Sequence, residues 1–184
     1  MSKQVAILAV NPVNGSGLFQ YLETFFEKNI SYRVFAVSDS TTIKTNSGII
    51  LQTEDVIANL KGHCDRFDAL VFSCGDAIPV FQHNADKPYN TDLLNVIREF
   101  AAHKKMLIGH CAASLIFEMA GVTDGKKLAV HPLAKPAILK GIATDETSTI
   151  DGNFFTASCE HTLPFLLPKV VEALRKFEVE ELRL

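Results

Sequence analysis

"MLIGHCAASLIFEMAG", residues 106–121, decides how the chain is read. Its first residues form a short apolar run of strand length, and "SLIFEMAG" continues at helical period. Between them stands Cys111, with Gly109 two residues before it and Ala113 two residues after. A side chain on a sharp strand-to-helix turn needs little bulk at those two positions, because sheet and helix backbones come close there. Such a turn also places the thiol at a helix N-terminus, where partial positive charge favours thiolate over thiol. The free N–H groups at that end, that of Ala112 first, can hold an oxyanion. The plain alternative is that Cys111 is a small buried hydrophobe.

Outward from that turn the pattern repeats. "QVAILAV" (4–10), "YRVFAVS" (32–38), "DALVFSCG" (68–75) and "KKLAVHP" (126–132) read as further strands, the first and third apolar throughout, as in strands buried on both faces. "LFQYLETFFEKN" (18–29) carries Leu18, Tyr21, Leu22, Phe25 and Phe26 at helical spacing. "NTDLLNVIREFAAHKK" (90–105) reads as a helix with Asn90 or Thr91 as N-cap and two closing lysines. A short helix fits "LAKPAILKG" (133–141), another capped by Thr53 runs through Leu60, and "LPFLLPKVVEALRKFEVEEL" (163–182) is an amphipathic closing helix. Two segments read as hairpins: 41–54 around Asn46-Ser47-Gly48, and 147–158 around Asp151-Gly152. With no repeat, linker or low-complexity segment, residues 1–184 read as one domain. Alternating strands and helices imply a three-layer α/β fold around a mainly parallel sheet. Sites in such sheets form at the carboxyl ends of the strands. Gly75, Cys111 and His131 all fall at predicted strand ends, so a single rim could hold them.

Composition narrows the function classes. The 184 residues are 47% hydrophobic and 21% charged, enough for a sizeable core. A net charge of −3 and a pI near 6.1 give no reason to expect nucleic acid or an anionic membrane as partner. No apolar run reaches the ~20 residues of a membrane helix, and "VAILAV" is too short for a signal peptide, so the cytoplasm is the expected location. Cys64, Cys74, Cys111 and Cys159 are too sparse for a disulfide framework and lack the paired spacing of a structural zinc site. They are expected as thiols. Cys64 is expected on a surface loop, and His63, His83 and His103 in solvent. Cys159-Glu160-His161, joined by His131 and Cys111, could be read as metal ligands, against the reading that Glu160 and His161 simply begin the last helix. No metal and no cofactor is expected.

Three stretches resemble the DJ-1/PfpI (ThiJ) superfamily, and within it the DJ-1 branch: "IGHCAASLIFEMAGVTDGKK" (108–127), "VHPLAKPAILKG" (130–141) and "DGNFFTASCEHTLPFLLPKVVEAL" (151–174). "FDALVFSCGD" (67–76) is similar to the strand ending in that family's Pro-Gly-Gly turn. The resemblance implies a flavodoxin-like fold, a homodimer, and Cys111 as nucleophile. It implies an oxyanion pocket from the N–H groups of Gly75 and Ala112, and His131 as base or orienter. The substrate implied is a small carbonyl or amide compound, turned over by an amidase, peptidase, glyoxalase or deglycase-type reaction. Peroxide sensing is the family's other role.

Ala112 stands where the PfpI branch has a histidine, and His110 precedes the thiol instead. Because side chains alternate along a strand, His110 is expected to point away from Cys111. The family's glutamate in the loop after the first strand is also missing. "NPVNGSG" (11–17) offers Asn14, which can donate a hydrogen bond but holds no transferable proton. That departure favours an alternative function, a non-catalytic thiol sensor or stress-response binding protein. Cys74 replaces a glycine at the rim, and Cys159 follows the last strand. Either could resolve an oxidised Cys111 as a disulfide, with Cys74 the first choice.

Overall fold

The structure, a computed structural model, describes residues 4–75 and 81–181. Asp76 and the predicted helix end at Leu182 lie outside them. The first strand, β1 (Gln4–Ala9), has Val5 through Ala9 entirely without exposure, as a strand covered on both faces must. It lies between β2 (Ser31–Ala36) and β6 (Ala69–Ser73), parallel to both. Next to β6 comes β7 (Met106–His110), also parallel, with Phe72 opposite Gly109 as the last pair. β11 (Phe154–Ala157) runs parallel to β7, and β10 (Ser148–Asp151) closes that edge antiparallel. Two-residue β5 (Asp55–Val56) forms the other edge beside β2. The order is β10-β11-β7-β6-β1-β2-β5.

Among the described residues, four long helices sandwich this sheet. α1 (Gly15–Glu27) and α4 (Leu163–Glu181) pack together on one face, and α2 (Pro88–Ala102) packs with α3 (Ala113–Ala120) on the other. Each buries an apolar stripe at helical spacing: Leu18, Tyr21 and Phe25 in α1, Leu93, Val96, Ile97 and Phe100 in α2, Leu163, Leu166, Leu167, Val170 and Leu174 in α4. This is the flavodoxin-like three-layer α/β/α sandwich that the sequence implies. No helix of the described residues is long and apolar enough to cross a membrane.

Both expected hairpins form. β3 (Thr42–Lys44) pairs antiparallel with β4 (Ile50–Gln52), and the β10–β11 turn uses Gly152 at φ +60°. Other expectations need correction. Thr53 caps no helix: its hydroxyl donates to the carbonyls of Thr41 and Asp55, and β5 takes up the next residues, leaving only a 3-10 turn at Ile57–Asn59. Helix α2 begins at Pro88, with Lys87 as N-cap, rather than at Asn90 or Thr91. Proline suits that first position because its missing N–H has no partner to lose there; the Asn90 amide instead donates to the Asn84 carbonyl at 2.7 Å. The strand read in "KKLAVHP" leaves the main sheet: β8 (Lys127–Ala129) pairs with an unanticipated β9 (Ile142–Thr144) in a separate parallel pair. "LAKPAILKG" contributes to a 3-10 helix, Pro132–Ala137. Cys64 is buried beside His103 rather than on the surface, its Sγ 3.3 Å from Nδ1, and burial first, then Glu99, pushes its thiol up to about 11. His63, His83 and His103 are exposed.

Candidate functional site

At the carboxyl ends of β6 and β7 the chain makes two sharp departures. After His110 it turns through Cys111, which holds φ +58°, a left-handed conformation that a non-glycine residue adopts at a cost of about 1–3 kcal/mol. The turn is held on both sides: the Cys111 N–H donates to Ala157 O at 3.0 Å, and its carbonyl accepts from the His131 N–H at 3.2 Å. The need for small neighbours is literal. A Cβ on Gly109 would lie 2.3 Å from the Cβ of Ala113. After Ser73 the second departure runs through Cys74 and Gly75. A Cβ on Gly75 would stand 2.1 Å from the Pro12 carbonyl oxygen, because Val13 bridges Gly75 antiparallel and the Asn14 N–H donates to Cys74 O at 2.9 Å. Gly75 is glycine because another backbone touches it.

These turns open on a pocket of about 460 Å³ lined by Asn14, Asn46, Cys74, Gly75, His110, Cys111, His131, Cys159, Glu160 and His161. It gathers every candidate residue named from the sequence except Ala112, whose N–H points toward the same place. Cys111 is half-buried; Cys74 is buried, and its side chain hydrogen-bonds with that of Cys111. The N–H groups of Ala112 and Gly75, the two expected to hold an oxyanion, both donate to the Cys74 sulfur. Hydrogen bonding with Cys111, burial and the charge of Cys111 raise the Cys74 thiol well above its usual value; the two N–H groups only partly offset this. Cys74 is therefore held as the protonated thiol.

His110 lies below this floor, on the α1 side of the sheet. Its Nδ1 is 3.2 Å from the Tyr21 hydroxyl, and Nε2, packed against Gly17, has no hydrogen-bond partner among the described residues. Burial lowers it to about 4, the charge of Glu160 opposing slightly, so it is neutral at physiological pH. His131 starts the 3-10 helix Pro132–Ala137, its Nδ1 accepting the Leu133 N–H at 3.3 Å. That bond leaves the proton of the neutral ring on Nε2, a donor. Asn14 caps α1, Oδ1 accepting from the Gly17 N–H at 2.6 Å, and its side chain also bonds to the Glu160 carboxylate. Cys159 begins the short turn Glu160–Thr162, locked by reciprocal bonds with Thr162.

Glu160, read from the sequence only as a possible metal ligand or the start of the last helix, is the pocket's carboxylate. Burial pushes its carboxyl up, but its own N–H, the Asn14 amide and the neighbouring histidines more than offset this, so it stays ionised. The first loop lacks a carboxylate, yet the pocket does not, because the loop after β11 supplies one. Only the juxtaposition of Asn14 and Glu160, 146 positions apart in the chain, could reveal it. Among the described residues no three His, Cys, Asp or Glu side chains are placed to hold a metal ion.

Comparison with known proteins agrees with this geometry. The profile of the DJ-1/PfpI family matches residues 3–173. Protein ppBat of Bacteroides thetaiotaomicron is 68% identical over 175 residues, covering 95% of this chain and 100% of that protein. A crystal structure from the same organism, of a protein assigned provisionally as protease I, superposes with a TM-score of 0.93 at 68% identity, over 94% of this chain and 99% of that one. At 16% identity, a cysteine mutant of a DJ-1 superfamily protein from Salmonella typhimurium shares the fold with a TM-score of 0.83, covering 95% of this chain and 91% of that one.

Proposed function

The chain belongs to the DJ-1/PfpI family, and from that premise we propose that it is a cysteine-dependent enzyme acting on a small, uncharged carbonyl or amide compound. The observation that carries this reading is Cys111 held at φ +58° over a pocket that also contains the ionised Glu160. Cys111 attacks the carbonyl carbon as thiolate, forming a C–S bond while the C=O electron pair moves to oxygen. The N–H groups of Gly75 and Ala112 receive that oxyanion. At rest they hold the Cys74 sulfur, a weak acceptor, which a charged oxygen displaces. Glu160 serves as base and His131, through Nε2–H, as orienting donor. The alternative, a non-catalytic thiol sensor, rests on Asn14 in place of a first-loop carboxylate; Glu160 in the same pocket favours the enzymatic reading. Small polar substrates fit the pocket's lining, and a homodimer in the cytoplasm is the state the family resemblance implies, which light scattering and fractionation test.

Turnover of methylglyoxal and of chromogenic amides decides the mechanism. Activity is expected in the wild type, lost in Cys111→Ser and lowered at least about tenfold in kcat in Glu160→Gln. Turnover unchanged in Cys111→Ser overturns it.

A further inference from the structure

We infer that Cys74 and Cys111 form a working dithiol that reduces hydroperoxides and closes to an intramolecular disulfide, an activity beyond carbonyl chemistry that rests only on Cys111 being the reactive thiol. The sheet itself sets the pair. β6 and β7 are hydrogen-bonded neighbours whose last pair is Phe72 opposite Gly109, and each cysteine is the first residue beyond its strand, at the start of the turn that follows. Adjacent strands run about 4.8 Å apart, inside the roughly 4.4–6.8 Å between Cα atoms that a disulfide spans. The side chains then point at each other: the two thiols are hydrogen-bonded.

The surroundings assign the roles. Cys111 is half-exposed on the pocket, where an oxidant arrives; Cys74 is buried behind it. In the first step the Cys111 thiolate attacks the distal oxygen of a hydroperoxide, the S–O bond forms as the O–O bond breaks, and the alkoxide leaves as alcohol after taking a proton from water. Cys111 is then a sulfenic acid. In the second step the Cys74 sulfur attacks the Cys111 sulfur, the S–S bond forms as the S–O bond breaks, and hydroxide departs with the Cys74 proton as water. Two thiols are oxidised and one peroxide is reduced to alcohol and water; an external thiol or dithiol restores the pair. Gly75 and Ala112 aim their N–H groups at the Cys74 sulfur, so they stabilise negative charge on the attacking atom as it develops. The other cysteines are worse placed. Cys159 lines the pocket but is tied into the Glu160–Thr162 turn, and Cys64 is buried beside His103 and Glu99.

Full-length protein treated with one to a few equivalents of hydrogen peroxide, then alkylated and digested, tests the pair, since the two cysteines fall on different tryptic peptides. The expected result is a Cys74–Cys111 linked peptide, an intact mass lower by about 2 Da, and reversal by dithiothreitol. Cys74→Ser is expected to lose the link and carry Cys111 to sulfinic acid, about 32 Da heavier, while Cys159→Ser keeps the link. Circular dichroism of each variant checks that it is folded, and the wild-type result stands without them. Cys111 passing to sulfinic acid in the wild type with Cys74 free, or a link to Cys159 instead, overturns the inference. Iodoacetamide labelling of the reduced protein separates the two ideas. Rapid labelling of Cys111 without a link sinks the dithiol alone; an unreactive Cys111 sinks the enzymatic reading with it.

Discussion

Cys111 holds its left-handed backbone because the residues around it leave no other path, and Gly109 is the tightest of them. With a Cβ there only 2.3 Å from that of Ala113, Gly109→Ala overfills the elbow. The variant is expected to lose about 2–3 kcal/mol in urea unfolding, with part regained in the double variant Gly109→Ala/Ala113→Gly; wild-type stability in the single variant would show that the elbow is looser than described. His110 makes a second prediction, from its pH dependence. Its folded value near 4 is below the usual 6.5, so the unfolded chain binds the proton more readily and stability falls as pH drops from about 6.5 toward 4. Between pH 7.5 and 5 this costs about 2 kcal/mol. His110→Gln is expected to flatten the slope in that interval, and an unchanged slope would place the titrating group elsewhere.

At the scale of elements, the loop after β11 and the hairpin β3–β4 both hold the loop that carries Asn14. The hairpin clamps the loop that carries Asn14: the Val13 N–H donates to Lys44 O at 3.0 Å and the Asn46 N–H to Val13 O at 2.9 Å. The 3-10 turn at Glu160–Thr162 holds Glu160 against Asn14. A fixed carboxylate in the pocket that Cys111 faces repels anions and leaves neutral molecules alone. Alkylation by iodoacetate should therefore be slower than by iodoacetamide, and Glu160→Gln should raise the iodoacetate rate about three- to tenfold with little change for iodoacetamide. Equal acceleration of both reagents would mean that Glu160 acts on the thiol rather than on the incoming charge.

For the whole molecule, one continuous core runs from β1 through α4, with both helix layers contributing to it. A single core of this kind unfolds in one step. Far-ultraviolet circular dichroism and the fluorescence of Tyr21, Tyr32 and Tyr89 are expected to give coincident urea transitions, in protein kept reduced. Separate transitions would divide residues 1–184 into more than one folding unit.

The alternation of apolar runs and amphipathic segments was enough to determine the layers of this fold, because a strand buried on both faces and a helix buried on one leave different periods in the chain. The elbow was equally legible: Gly109, Cys111 and Ala113 are a local steric solution, and local sterics are written in adjacent residues. Helix starts, β8's departure from the main sheet and the existence of β9 were not, since short elements take whichever hydrogen-bonding partner the tertiary fold offers. The same holds for the site's chemistry. Cys74 as a candidate partner could be named from the sequence, but that its sulfur fills the N–H cradle follows only from the pairing of β6 with β7. Glu160 could be named from the sequence as a possible ligand, but its part as the carboxylate beside Asn14 was hidden, because charge interacts through space and that meeting exists only once the loop after β11 has folded back over the first turn of α1.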